Sequence, residues 1–343
     1  MKILYVADFN ESENAKKFYD INRKLSHGFV RNGHAVFHYS DRDVARASTV
    51  FHSRKFGVVP ANKRLVEVAD IFRPDLIFLG HANIIKNSTL RTIRSMFKDV
   101  HIAYRNIDPL FNKDNVKAIM RRADEVDAIF VTTAGDVLKQ FERSNNIVSF
   151  MPNPVDRSIE TNQTFRHTDL DYDLFFAIGG SGPLDIPRIK LATDLKETLP
   201  EVRFDFRGMP GRGKVWGADY QDALGNARMG LNLSKRSDYY LYSSDRMPHL
   251  TGNGLLTFID RSTGFNDVYS DDELAFYDSF DDLVEKIRYY KANDHERRRV
   301  AENGWRKSHA SFNERLVAKY IIETIFHEPL SEDYAWPTRT YTS

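Results

Sequence analysis

Residues 173–207 read DLFFAIGGSGPLDIPRIKLATDLKETLPEVRFDFR. The apolar run 173–178 predicts a buried strand. Gly179-Gly180-Ser181-Gly182 is a turn, 186–198 a helix, and 202–207 (VRFDFR) a second strand. Strand, turn, helix and strand in that order make a β-α-β unit, and repeated units make a parallel sheet covered on both faces.

Working forward, the pattern continues with a helix at 220–227, a strand at 229–233, a short helix at 245–251 and strands at 255–259 and 275–277. Long helices at 280–291 and 295–325 follow. Working backward, a polar, proline-containing linker at 152–168 separates this half from an earlier one built the same way. That half has strands at 2–7 (KILYVA), 34–39, 75–80, 100–105, 128–133 and 147–151. Its helices are expected at 15–32, 65–72, 116–123 and 135–143. The fold class is α/β, with two Rossmann-like domains at 1–155 and 156–325. The tail 326–343 is expected to pack back on the first domain or to be disordered.

Length agrees, because single cores stop growing near ~250–300 residues and the chain has 343. It contains no cysteine, which excludes disulfides, thiolate metal sites and a cysteine nucleophile. Its 49 basic and 48 acidic side chains remove the bulk electrostatic case for nucleic acid. No window reaches the ~18 apolar residues of a membrane span. A cytoplasmic protein is expected, with peripheral contact at the inner face of the membrane left open.

In open parallel sheets ligands sit outside the carboxyl ends of the strands. With two such domains, the expected site is a cleft between them, faced by both sheets. The residues that follow each strand are the candidates.

Several strings resemble glycosyltransferases of the GT-B fold, in particular group 1 and the group related to the spore-coat protein CgeB. Residues 31–36 (RNGHAV) resemble the turn into the second strand. Residues 151–156 (MPNPVD) resemble the "PNGVD" that opens the interdomain linker, with Pro154 in place of glycine. Residues 223–233 (ALGNARMGLNL) and 246–254 (RMPHLTGNG) resemble the helix-to-strand passage and the "RxFExxACG" helix. The likeness is best over 170–325. It implies an acceptor-binding first domain, a nucleotide-sugar-binding second domain, and a glycosyltransferase, retaining and metal-independent, with the nucleotide-sugar as donor substrate and no cofactor. The acceptor would be a saccharide or glycoconjugate, and polysaccharide biosynthesis the setting. One departure stands out. Where group 1 enzymes hold the donor ribose with a glutamate, three positions after Arg246, this chain has His249. That keeps open two other readings, a nucleotide-sugar epimerase of the same fold and a non-catalytic saccharide-binding or coat protein.

The candidate donor contacts are Gly180, Ser181 and Gly182, whose amides can receive a phosphate at a helix start, with Arg207, Lys235, Arg236, His249, Thr251 and Gly252. Arg246 matches a family position, and a fixed cation there would stabilise the departing nucleoside phosphate. Asp8 and His81 follow strands of the first half and could act as base or orienting group for an acceptor hydroxyl. Each glycine could equally serve a turn, and Lys235 and Arg236 a solvated run. Residues 208–214 (GMPGRGK) imitate a phosphate-binding loop, but Val215 stands where Mg²⁺ needs a hydroxyl, so nucleotide hydrolysis is not expected. Tyr239, Tyr240 and Tyr242 could stack on a base or pack their loop. No metal site is expected; 41–43 (DRD) and 171–173 (DYD) read as chance matches to D-x-D.

Overall fold

The computed structural model describes residues 1–180 and 182–342. The chain forms two compact units, Met1–Pro152 with Glu314–Ser343, and Asn153–Asn313.

The first unit contains β1 (Lys2–Ala7), α1 (Ile21–Arg31), β2 (Ala35–Ser40), α2 (Asp41–Ala47), α3 (Val58–Phe72), β3 (Leu76–Gly80), α4 (Asn87–Met96), β4 (His101–Asn106), α5 (Lys113–Ala123), β5 (Ala128–Val131) and β6 (Ile147–Phe150). The second contains β7 (Tyr172–Ala177), α6 (Ile186–Thr198), β8 (Phe204–Arg207), α7 (Gly217–Gly225), β9 (Ala227–Asn232), α8 (Arg246–Gly252), β10 (Leu256–Asp260), β11 (Ala275–Tyr277), α9 (Phe280–Ala292) and α10 (Asp294–Ser311). The chain then returns to the first unit as α11 (Glu314–Ile325) and β12 (Thr340–Tyr341).

The first sheet has the order β12-β6-β5-β4-β3-β1-β2, and the second β11-β10-β9-β7-β8. All pairs are parallel except β12 with β6. Each sheet therefore reverses its winding once, between β1 and β3 and between β7 and β9. Such a switch point leaves a crevice at the carboxyl ends of the strands, where α/β proteins bind ligands.

Burial explains the apolar runs. Ile3 to Ala7 of β1 and all of β3, β5 and β6 are buried, as strands covered on both faces must be. Tyr5, Phe29 and Phe78 meet edge-to-face at 5.0–6.1 Å between centroids. In the second unit Leu174 and Phe176 of β7 join Ala192 and Leu195 of α6, Leu231 of β9 and Phe258 of β10 in one core.

Several elements differ from the sequence expectation. The helix expected over 15–32 begins only at Ile21, because Asn14 and Ala15 adopt left-handed backbone and Asp20 caps the helix, accepting from the amides of Asn22 and Arg23. Helices α2 and α4 stand where no helix was expected, α3 begins seven residues earlier than expected, and residues 136–141 form a 3-10 turn rather than a helix. The single helix expected over 295–325 is two. Phe312 stacks on Tyr269 at 4.9 Å and Asn313 bridges Val155, which breaks the helix where the chain passes between units. As a result 314–325 belongs to the first unit, not the second, where Gly28 of α1 meets α11. A Cβ at Gly28 would lie 2.1 Å from the carbonyl oxygen of Glu314. In the tail, Trp336 is buried against Tyr320 and Tyr334, and β12 extends the first sheet.

Candidate active site

The switch point of the second unit carries a cluster of cations. Arg246, the first residue of α8, is buried. Its Nε donates to the carbonyl of Ala177 at the end of β7 (3.0 Å), and its Nη1 to the carbonyl of Leu233 just after β9 (3.1 Å). Its guanidinium lies over the Phe176 ring, 5.1 Å from the centroid. Arg188, in the first turn of α6, is also buried, and its Nη1 reaches the same Leu233 carbonyl at 3.4 Å. Burial lowers the pKa of both arginines, and the neighbouring Arg246 helps bring Arg188 down to about 10.

Asp185 answers part of this charge. Its carboxylate pairs with Arg188, accepts from the Gly182 amide at 3.0 Å, and lies 3.8 Å from Lys235 Nζ. Two cations, Arg188 and Lys235, thus share one buried carboxylate. Among the described residues no carboxylate lies within ion-pair distance of Arg246. At the end of β9 the buried amide of Asn232 has no hydrogen-bond partner among the described residues, at nitrogen or oxygen. A desolvated guanidinium without an ion pair, next to a second one shared with a single carboxylate and beside an unspent amide, suits a charged, oxygen-rich ligand.

The other candidates fall elsewhere. Ser181 lies outside the described residues. Gly180 leaves room for Asp185, since a Cβ there would stand 2.7 Å from Asp185 Oδ2. The amide of Gly182 is already engaged by that carboxylate. Arg207 binds the buried Asp205 at 2.6 Å, and Arg236 pairs on the surface with Asp238. His249 points inward, with Nδ1 2.8 Å from Oε1 of Glu160, both buried. Thr251 bonds back to the Met247 carbonyl. Gly252 packs against the linker, where a Cβ would meet Glu160 at 2.7 Å. The structure therefore brings Arg246 to the end of β7 and Lys235 to Asp185, and leaves His249 and Gly252 against Glu160 of the linker. The turn after β8 needs its first glycine for packing: Gly208 has φ +72°, and a Cβ would stand 2.0 Å from the Ile178 carbonyl oxygen. Tyr240 packs beside Gly264 and bonds Asp267 at 2.8 Å.

Sequence reading missed Arg188, Asp185 and Asn232. Asn232 was detectable as a polar residue ending an apolar strand. Arg188 looks like any charged position on an amphipathic helix.

The first unit has its own set at its switch point. Asp8 follows β1 and pairs with Arg42 at 2.9 Å. His81 follows β3 in left-handed backbone (φ +62°), bonded through its amide to the Arg105 carbonyl at 3.1 Å. Burial, with Arg105 and Arg42 nearby, lowers the His81 pKa to about 3. The ring is neutral at ordinary pH, so Asp108 at 3.8 Å is not an ion-pair partner. A base that weak is poorly matched to proton abstraction near neutrality. Arg105 is buried beneath, donating to Asn22, and Gly80 makes its space: a Cβ there would lie 2.6 Å from Arg105 Nη2. Asp41 and Asp43 are engaged locally, Asp41 with the Arg42 amide and Asp43 with Ser12 and Arg46.

Among the described residues no helix is long and apolar enough to cross a membrane. Residues 176–323 match the family described as glycosyl transferase-like. No curated protein sequence matches the chain. Solved structures share its fold across both units. Sucrose-phosphate synthase from Thermosynechococcus elongatus is 10% identical with a TM-score of 0.65, covering 95% of this chain and 99% of that one. Anabaena HepE in complex with UDP-glucose is 12% identical with a TM-score of 0.59, covering 95% and 100%. AviGT4, a glycosyltransferase involved in avilamycin A biosynthesis, is 12% identical with a TM-score of 0.55, covering 100% of each chain. Residues 176–323 thus carry a glycosyl transferase-like domain, and the fold of the chain is the GT-B type that those solved structures share.

Proposed function

We propose that the protein moves a sugar from a nucleotide-sugar to a saccharide or glycoconjugate acceptor, with retention and without a metal ion or other cofactor. The second unit binds the donor and the first the acceptor. The observation that carries this reading is the pair Arg188 and Arg246, held in a low-dielectric setting at the β7/β9 switch point. As the bond from the anomeric carbon to the diphosphate breaks, negative charge grows on the leaving oxygen. Fixed cations already desolvated stabilise that charge without reorganising. Lys235 adds a third charge at the rim, and the Asn232 amide a neutral contact. The complex of HepE with UDP-glucose supports the donor class, and the resemblance to group 1 enzymes supports retention. In the first unit, neutral His81 and Asp8 hold and orient the acceptor hydroxyl.

Thermal-shift screening against UDP-, GDP-, ADP-, dTDP- and CMP-linked sugars tests the donor class. At least one is expected to raise the melting temperature in the presence of a chelator. If none does, the donor reading fails; if stabilisation requires a divalent ion, the metal-free mechanism fails.

A further inference from the structure

Residues 44–66 lie across the end of α2 and the start of α3. They contain Arg46, Arg54, Lys55, Lys63 and Arg64, and neither aspartate nor glutamate. In the same stretch Val50, Phe51, Phe56 and Val59 are 90%, 87%, 72% and 66% exposed. Single exposed apolar side chains are ordinary, but four large ones within ten residues form a patch that asks for a partner.

The loop is built to present them. The Ser53 amide donates to Thr49 Oγ1 at 2.8 Å, the His52 amide to the Thr49 carbonyl at 3.0 Å, and the Gly57 amide to the Ser53 carbonyl at 3.1 Å. Gly57 seats the loop directly on α2, since a Cβ there would stand 1.8 Å from the Ala45 carbonyl oxygen. Arg46 is tied to Asp43, and Lys63 approaches Glu67 at 3.8 Å. Arg54, Lys55 and Arg64 have no carboxylate partner among the described residues.

The position of the patch in the first unit also matters. Next to Val59, Val58 lines a cavity of about 460 Å³ with Ile84, Lys86 and Arg121, so α3 begins beside the loop that follows β3. The patch therefore lies toward the carboxyl end of the first sheet, the end that carries Asp8 and His81.

We propose that this surface docks the protein on a bilayer containing anionic lipid. Phe51 and Phe56, with Val50 and Val59, enter the headgroup–acyl boundary, and Arg54, Lys55 and Arg64 face the lipid phosphates. Apolar burial combined with cation attraction is the signature of interfacial binding. A single-stranded nucleic acid would also attract the cations and stack on phenylalanine, but Val50 and Val59 offer it nothing.

The test is sedimentation of the full chain with phosphatidylcholine vesicles, with and without phosphatidylglycerol. Binding is expected with phosphatidylglycerol and is expected to weaken as salt rises. The doubly substituted Arg54→Gln/Lys55→Gln protein should bind about thirtyfold more weakly, from the usual contribution of each cation near an anionic surface. Phe51→Ser/Phe56→Ser should abolish binding with an unchanged melting temperature. Ile71→Ser, at the opposite end of α3, should bind as the parent does. Failure of the parent to bind, equal binding by both double variants, or displacement of the vesicles by single-stranded DNA would overturn the proposal.

Discussion

Arg188 and Arg246 donate to one carbonyl, that of Leu233, from 3.4 and 3.1 Å. They come from different helices, α6 and α8, and meet where β7 and β9 part. Two guanidiniums on one carbonyl repel each other, and the arrangement persists because Asp185 and the Ala177 carbonyl hold them in place. A bound diphosphate would relieve that repulsion.

If Arg246 acts on developing charge, its removal should affect turnover more than substrate capture. We expect Arg246→Ala to lower kcat by about 100-fold or more, and Arg246→Lys to recover part of it. Steady-state kinetics on folded protein check this. The Ala177 and Leu233 carbonyls would lose a donor, so stability should also fall by about 1–3 kcal/mol.

His249 should behave differently. Bonded to Glu160 inside the unit, it supports the linker against α8. His249→Ala leaves a buried carboxylate short of a partner and should cost about 1–3 kcal/mol. The donor affinity of the folded protein should stay unchanged. Chemical denaturation together with calorimetric titration separates the two effects, and a selective loss of donor affinity would place His249 in the binding site instead.

Asp41 should leave its mark on the pH dependence of stability. Burial raises its pKa to about 6, helped by Asp8 and Asp43 and opposed by Arg42. A carboxyl with a folded pKa above its unfolded value takes up protons on folding. Its contribution to stability is present below about pH 4 and is lost as pH rises through about 6. Asp41→Asn can keep the bond from the Arg42 amide without ionising. We expect it to stabilise the protein at pH 7 by on the order of 1–3 kcal/mol and to flatten the slope between pH 4 and 6, as read by denaturant titration at several pH values.

His81 carries the opposite slope. Burial brings its folded pKa to about 3, below the 6.5 of an ordinary histidine. Its contribution is complete above about pH 6.5 and is lost as pH falls toward 3. His81→Asn should therefore lose less stability than the parent over that interval. If the ring orients the acceptor, acceptor KM should rise while donor affinity holds.

The β7-turn-α6-β8 unit is legible in the sequence because apolar runs, glycines and helical spacing all agree there. The range of α6, Ile186–Thr198, is the one its pattern predicts. The polar helices α2 and α4 are not legible, since α4 (NSTLRTIRSM) offers few apolar positions and takes its place from packing. The break between α10 and α11 has no proline or glycine to announce it. It comes from Phe312 meeting Tyr269, a contact between residues far apart in the chain. The same limit hid Arg188: its burial arises from the Leu233 carbonyl and Asp185, and nothing in its own neighbourhood marks it off from a solvated helix position.

The measurement that bears most directly on donor binding is calorimetric titration of UDP-glucose and GDP-linked sugars into the parent protein and Arg188→Ala, with a chelator present. The account predicts saturable binding by the parent to at least one donor, and a loss of at least tenfold in affinity in the variant, from one charge-assisted contact to phosphate. Equal affinity in the two proteins would contradict it.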